Sequence, residues 1–460
     1  MQSDFIIILD AKSYPNSILN PVYTYQNDTF MHTQSITNGL SNNKHQIHTW
    51  LQHLKQVAHK HPTPLIAPIK ALSELVKQDK QLLLLSKQMF CLPQQTQQLQ
   101  LSELVIQSFD EFLLVLNAVM TQAPPYIRSN NMATEALNPC GFIGLPINAL
   151  LTCITTPIAS QSFFANVIVA QQFKKILACW SIYLSSEASR NVLVQDQLDQ
   201  DPQQLAWLNP IVQKHLIEIV CQASFDPALK EFPFEHFFEC DPNDKCYGFQ
   251  SWDDFFTRKF TATIRPIAAG EDVIVNPCES APLQVVENVE QNATFWLKGH
   301  PYSLQNMMNF DPLAEQFTGG TVYQAYLNAL SYHRWHSPVS GTIKKIDIVN
   351  GRYDLASKSA LPLLTAIATR AIIFIESDNP YIGLMCFIAV GIADVSSCDV
   401  TVSQGQHVEK GEQLGMFHCG GSAHCLIFKP QVNLSFDFHL TEPGLNATNI
   451  PVCSRIAVVN

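Results

Sequence analysis

Basic charge is scarce in this 460-residue chain. Lysine and arginine number 28 against 39 acidic residues, a formal net charge of -11. Such a balance argues against nucleic acid as the main partner and gives no general attraction to anionic lipid. Also missing is any CxxC pair or Cys/His spacing of the zinc type. The 13 cysteines are scattered, so the reading is of reduced, mostly buried thiols with no metal site and no disulfide framework. No uninterrupted apolar run is long enough for a bilayer. Residues 141–173 carry no charge, but Pro146, Asn148, Pro157, Gln161, Ser162 and Asn166 break the run, which fits a buried helical hairpin better than a transmembrane segment. The N-terminus has Asp4 where a signal peptide would have positive charge, and its run Phe5 to Leu9 is too short for one. It reads as a strand, and the protein as cytoplasmic.

What is present is the composition of a globular protein, 47% hydrophobic and 15% charged, long enough for two or three domains. Residues 1–45 read as the first strand and a polar arm. Residues 46–197 read as a helical domain. In it Trp50, Leu51, Leu54 and Val57, then Ile69, Leu72, Leu75 and Val76, recur at helical spacing on either side of Pro62 and Pro64. A further helix is expected from Glu103 to Met120, after a Gln-rich linker at 94–99. Asp199 to Pro210 is the best linker candidate, followed by a helix over Ile211 to Ala223. From Val273 the pattern changes to short β-branched runs, among them Val322 to Leu327, Gly341 to Val349, Ala371 to Glu376, Ile382 to Val390 and Asp399 to Val402. The fold class is therefore α+β, a mainly helical domain followed by a β-rich domain over 211–460. The double-turn cadence of 402–412 suggests a barrel-sandwich-like core.

The candidate chemistry lies between Val408 and Pro430. Gly420-Gly421-Ser422 sits between a strand and the apolar run Cys425 to Phe428. Paired glycines let the backbone be strained and approached closely, and place the Ser422 hydroxyl beside the Gly421 carbonyl. Taken alone, this tripeptide is ordinary turn chemistry. A serine hydroxyl needs a base to become a nucleophile, and a histidine suits that task. Two histidines, His333 and His336, stand three apart in Tyr332 to Gly341. Beside Tyr332 and Trp335, His333 also reads as a satisfied core residue.

Together with Phe255-Phe256-Thr257-Arg258 and Arg265-Pro266-Ile267, these motifs resemble, in order, those of the phosphatidylserine decarboxylase family of pyruvoyl enzymes. The likeness runs from about Phe249 to the C-terminus. The segment ending near Leu193 resembles the helical domain of the branch that includes L-tryptophan decarboxylases. The resemblance implies that Ser422 attacks the Gly421 carbonyl to form an ester, which is eliminated and hydrolysed to leave a pyruvoyl group. The chain would be cut between 421 and 422. It implies His336 as base, oriented by Glu279, and His333 near the reprotonation that follows loss of carbon dioxide from a Schiff base. The main family carries Asp-Gly where this chain has Glu279-Ser280. Arg258 and Arg265 read either as binders of a substrate carboxylate or phosphate or as anchors. His424, two residues past the new terminus, reads as lining the pocket or turned away from it.

Three functions follow: decarboxylation of a free amino acid, aromatic for preference and L-tryptophan to tryptamine in particular; phosphatidylserine decarboxylation; or an uncleaved binding protein. The resemblance implies a homodimer of cleaved chains, with a small amino acid or a phospholipid head group as partner.

Overall fold

The computed structural model describes residues 48–91, 105–127, 146–151, 153–154, 157–196, 204–224, 227–290, 303–327, 330–350, 369–392, 397–444 and 446–460. The expected N-terminal strand, the polar arm and the Gln-rich piece at 94–99 lie outside them. Residues 46–460 form one unit.

Helices come first. The stretch 48–60 is helical and stops ahead of Pro62 and Pro64, after which Ala67–Gln78 begins with a proline in its first turn, where the missing N–H costs nothing. A third helix, Lys80–Gln88, starts directly after it because Asp79 accepts from Gln81 N and Leu82 N. The helix expected from Glu103 is Phe109–Val119. Ser108 is extended and its Oγ accepts from Glu111 N at 3.2 Å, so helical geometry cannot begin earlier. The uncharged stretch forms Pro146–Leu151, Pro157–Ala165 and Val167–Leu184 rather than one hairpin. Asn166 breaks the last two apart and caps Val167–Leu184 through its side chain. Among the described residues, no helix is long and apolar enough to cross a membrane.

The expected linker at 199–210 contains structure. Strand β1 (Tyr126–Ile127) pairs with β2 (Gln204–Leu205), and Trp207 is buried with its Nε1 donating to Pro124 O. The following helix, Pro210–Ser224, matches the expectation closely.

The β-rich part holds β3 (Val273–Val275), β4 (Ala281–Val289), β5 (Gly320–Leu327), β6 (Arg334–His336), β7 (Gly341–Val349), β8 (Thr369–Ser377), β9 (Leu384–Ile392), β10 (Ser397–Val400), β11 (His407–Val408), β12 (Gln413–His418), β13 (Gly421–Phe428), β14 (Leu434–Phe436) and β15 (Arg455–Val459). A seven-stranded antiparallel sheet runs in the order β11-β7-β8-β9-β13-β5-β4. Two three-stranded sheets accompany it, β10-β12-β6 and β14-β15-β3. Among the described residues no sheet closes into a barrel, so the barrel-sandwich expectation holds only as open layers.

Strand β13 is buried on both faces. Ala423, Cys425 and Ile427 join a core with Val322, Tyr326 and Phe374, while Leu426 and Phe428 join another with Tyr323, Trp335 and Phe387. A side chain the size of Ile427, Leu426 or Phe428 contributes about 1.5–3 kcal/mol by burial. A third core runs through the helices from Trp50 to Ile264 and takes in Leu330 and Cys419. The helical layer thus reaches the turn immediately before Ser422.

Candidate active site

Strand β12 ends at His418, and the chain reverses through Cys419 and Gly420 into β13. Cys419 has φ +34° and Gly420 φ +152°. The first is a strained value for a residue with a Cβ, and the second lies where glycine is favoured. Ser422 is therefore the second residue of a central strand, not part of a loop. It lies opposite Leu327 of β5 and Gly391 of β9. Gly391 brings no side chain across, which leaves room beside the serine. Ser422 is 2% exposed, and its Oγ has no hydrogen-bond partner among the described residues. A buried hydroxyl left so costs about 1–3 kcal/mol.

His333 is fully buried, stacked on Phe256 with centroids 3.9 Å apart and planes at 19°. Its carbonyl accepts from Phe417 N at 3.0 Å, which sets it beside the end of β12 nearest the Cys419–Gly420 turn. His336 lies three residues further along, opposite Gln413, so about 10 Å from His333. Its Nδ1 donates to Gly411 O at 2.7 Å, because a carbonyl can only accept. That leaves Nε2 to accept from Tyr332 Oη at 2.9 Å. Burial lowers the His336 pKa, the hydrogen bond to Gly411 opposes this, and the Arg334 charge lowers it further.

Glu279 does not orient His336 directly. Its carboxylate is gripped on both oxygens by Arg265 and accepts from Val452 N at 2.8 Å. The backbone carbonyl of Gly411 does the tautomer-fixing expected of the acid. Arg265 also donates to Ser224 Oγ and Val220 O, so it anchors Pro210–Ser224 to the sheets with its charge already matched. Arg258 is likewise an anchor. It lies over the Phe238 and Phe255 rings and donates to Phe255 O and Leu330 O, and burial lowers its pKa to about 10. Among the described residues it makes no hydrogen bond to Ser422, His333 or His336.

His424 faces the same side of β13 as Ser422, by alternation. It is fully buried, and Nε2 meets Ser280 Oγ at 2.9 Å. Burial pushes its pKa down to about 3. The Glu279-Ser280 departure thus places a hydroxyl against a histidine two residues from Ser422.

Sequence reasoning missed His418. Its Nδ1 pairs with Asp253 at 2.8 Å and its Nε2 with Asp399 at 3.5 Å. Burial lowers its pKa, but the hydrogen bonds and charges of the two aspartates outweigh burial and the net shift is upward. The pair ties the turn to the helix Trp252–Phe256, which also carries the ring beneath His333. The two residues stand 165 apart, so only their residue types could have hinted at it. Among the described residues no cluster of three His, Cys, Asp or Glu could hold a metal. A polar cleft lined by Glu287, Thr321, Pro430 and Leu434 opens at the far end of β13 and holds none of these residues.

Fold and site define a two-part α+β protein with an unpartnered serine embedded in its central sheet. A phosphatidylserine decarboxylase family model matches residues 252–444, and a second model of that description matches 66–216. The decarboxylase iboD of Amanita muscaria is 40% identical over 324 residues, 64% of this chain and 86% of that protein. The L-tryptophan decarboxylase of Psilocybe cubensis is 34% identical over 73% of this chain and 76% of its own length. Phosphatidylserine decarboxylase proenzyme 3 of Schizosaccharomyces pombe is 32% identical over 45% of this chain and 22% of its own. The chain belongs to the phosphatidylserine decarboxylase family.

Proposed function

We propose that this protein is a pyruvoyl-dependent decarboxylase of a free amino acid, an aromatic one such as L-tryptophan, that processes itself between Gly421 and Ser422. The observation that carries the reading is the Ser422 hydroxyl, buried and unpartnered immediately behind a turn strained at Cys419. The residues present fit the group, since its precursor is Ser422 itself. In processing, Oγ attacks the Gly421 carbonyl and the peptide C–N bond gives way to an ester. Loss of the Ser422 Cα proton then breaks the ester C–O bond and releases the Gly421 carboxylate. Water finally takes the nitrogen off as ammonia and leaves the ketone.

When present, the pyruvoyl group supplies an electron-accepting carbonyl for a substrate amine. The chain's own residues do the rest. Stacked on Phe256, His333 is the histidine nearer the turn and the candidate for returning a proton to the product. His336 has its Nε2 lone pair directed at Tyr332, whose hydroxyl donates to it. The substrate reading is supported by the Psilocybe relative, an L-tryptophan decarboxylase. Phosphatidylserine is the second reading, favoured by the match over 252–444. A homodimer and a cytoplasmic location belong to the same proposal.

The test is intact mass and denaturing electrophoresis of wild type beside Ser422→Ala. Wild type is expected as a long chain and a fragment of 460 - 421 = 39 residues with a blocked N-terminus. The variant should stay whole and release no carbon dioxide. An uncut wild type sinks the pyruvoyl reading. Carbon dioxide released from phosphatidylserine vesicles, and not from L-tryptophan, would select the second reading.

A further inference from the structure

We propose that His424 is a recognition residue for the substrate side chain, presenting Nδ1 as a buried acceptor to a ring N–H or O–H donor. The proposal rests on the pyruvoyl reading for the position of the reacting carbon at residue 422. His424 lies two residues along β13 on the same face, about 6–7 Å away, a distance an aromatic side chain attached at residue 422 can span. Its cross-strand neighbours are Ala325 and Ala389, and those of Ser422 are Leu327 and Gly391, so the sheet is low around His424 and on the β9 side of Ser422. Tyr323 stands edge-on to the imidazole at 5.7 Å, and Phe387 lies 6.1 Å from it. These rings give the position an apolar aromatic wall.

The hydrogen bonds around Ser280 decide what His424 offers. Asn276 Nδ2 donates to Ile450 O at 2.9 Å, which turns the amide oxygen toward Ser280. Ser280 Oγ then has three neighbours for one proton: Cys278 O at 3.1 Å, Asn276 Oδ1 at 3.3 Å and His424 Nε2 at 2.9 Å. The two carbonyl oxygens can only accept. With the hydroxyl donating to one of them and Nε2–H of His424 donating to the hydroxyl, two hydrogen bonds form where the opposite tautomer makes one, and we take that arrangement. Nδ1 is left with its lone pair, in full burial, and has no partner among the described residues. The next two residues on this face, Leu426 and Phe428, are apolar. A core position would take another such residue, so the imidazole needs a reason.

Two substitutions separate recognition from mere support of Ser280. Asn at 424 puts an amide oxygen where Nδ1 stands but is too short to reach Ser280. Gln reaches Ser280 but leaves the Nδ1 position empty. The probes are L-tryptophan against 1-methyl-L-tryptophan, and L-tyrosine against L-phenylalanine. Wild type is expected to favour the donor-bearing member of a pair by about tenfold or more in kcat/KM. His424→Asn should keep that preference and His424→Gln should lose it. No preference in the wild type, or a preference retained by His424→Gln, overturns the proposal.

A readout independent of turnover is the 15N spectrum of the ring in uncut Ser422→Ala protein, assigned by its loss in His424→Phe. Nδ1 is expected unprotonated and Nε2 protonated, and the reverse overturns the proposal. If wild type is cut yet acts on phosphatidylserine vesicles and on none of the four amino acids, the recognition proposal falls while self-processing stands. An uncut wild type removes the pyruvoyl reading itself.

Discussion

Glu279 is held by partners other than the histidine its motif implies. With Arg265 it forms a buried ion pair, 1% and 5% exposed, whose remaining donors reach Ser224 and Val220. Such pairs matter most when broken, because the survivor is a buried charge without compensation. Glu279→Gln is expected to lower stability by about 3–5 kcal/mol, read as a shift in the denaturant midpoint. Lost self-cleavage at unchanged stability would instead return Glu279 to the base-orienting role that the sequence suggests. Ser422, His333, His336 and Glu279 were singled out as candidates because each sits in a short motif whose residue types name a chemistry. Their partners were not. Gly411 O, Tyr332, Arg265 and the Ser280–His424 contact depend on strand register, and the last joins residues 144 apart. Of the two readings of Arg258 the contacts match the anchor, since a guanidinium suited to a carboxylate is equally suited to the carbonyls that hold it here.

Among the elements, the turn between β12 and β13 and the helix Trp252–Phe256 govern the site. Gly420→Ala places a Cβ on a backbone with φ +152°, at a cost of order 1–3 kcal/mol. Cutting at 421/422 is expected to slow or stop although Ser422 is intact, as a time course on denaturing gels would show. Asp253→Asn tests the other attachment. The His418 pKa is raised in the folded chain, so the pairing stabilises fully below the ordinary value of 6.5 and is lost as pH rises through the raised value. The difference in melting temperature between wild type and Asp253→Asn should therefore be largest on the acid side of neutrality and shrink with rising pH. A constant difference would mean that the contact acts without its charge. Strands were legible where alternating or β-branched runs were bounded by turn residues, and Gly341–Val349 was read to the residue. The helix Phe109–Val119 was read as starting six residues early because periodicity continues through Leu104, while Ser108 decides where the helix begins. Strand β2 was missed since two residues carry no period, and its partner lies far upstream in the sequence.

For the whole molecule, the position of β13 has the largest consequence. The 39 residues after Gly421 contribute a strand inside the seven-stranded sheet and two of the three strands of β14-β15-β3. After cutting, the two pieces are expected to stay together through native size-exclusion chromatography and to part only in denaturant. Separation under native conditions would contradict the register of β13 between β9 and β5. The order of events follows from the same arrangement. While the chain is continuous, closing the central sheet is a unimolecular reaction whose rate does not depend on how many molecules are present. Once the bond is broken, the same sheet can be rebuilt only when two separate polypeptides meet, so recovery from full denaturation becomes a second-order process that slows with dilution. The uncut chain is then the sole form able to fold at any concentration.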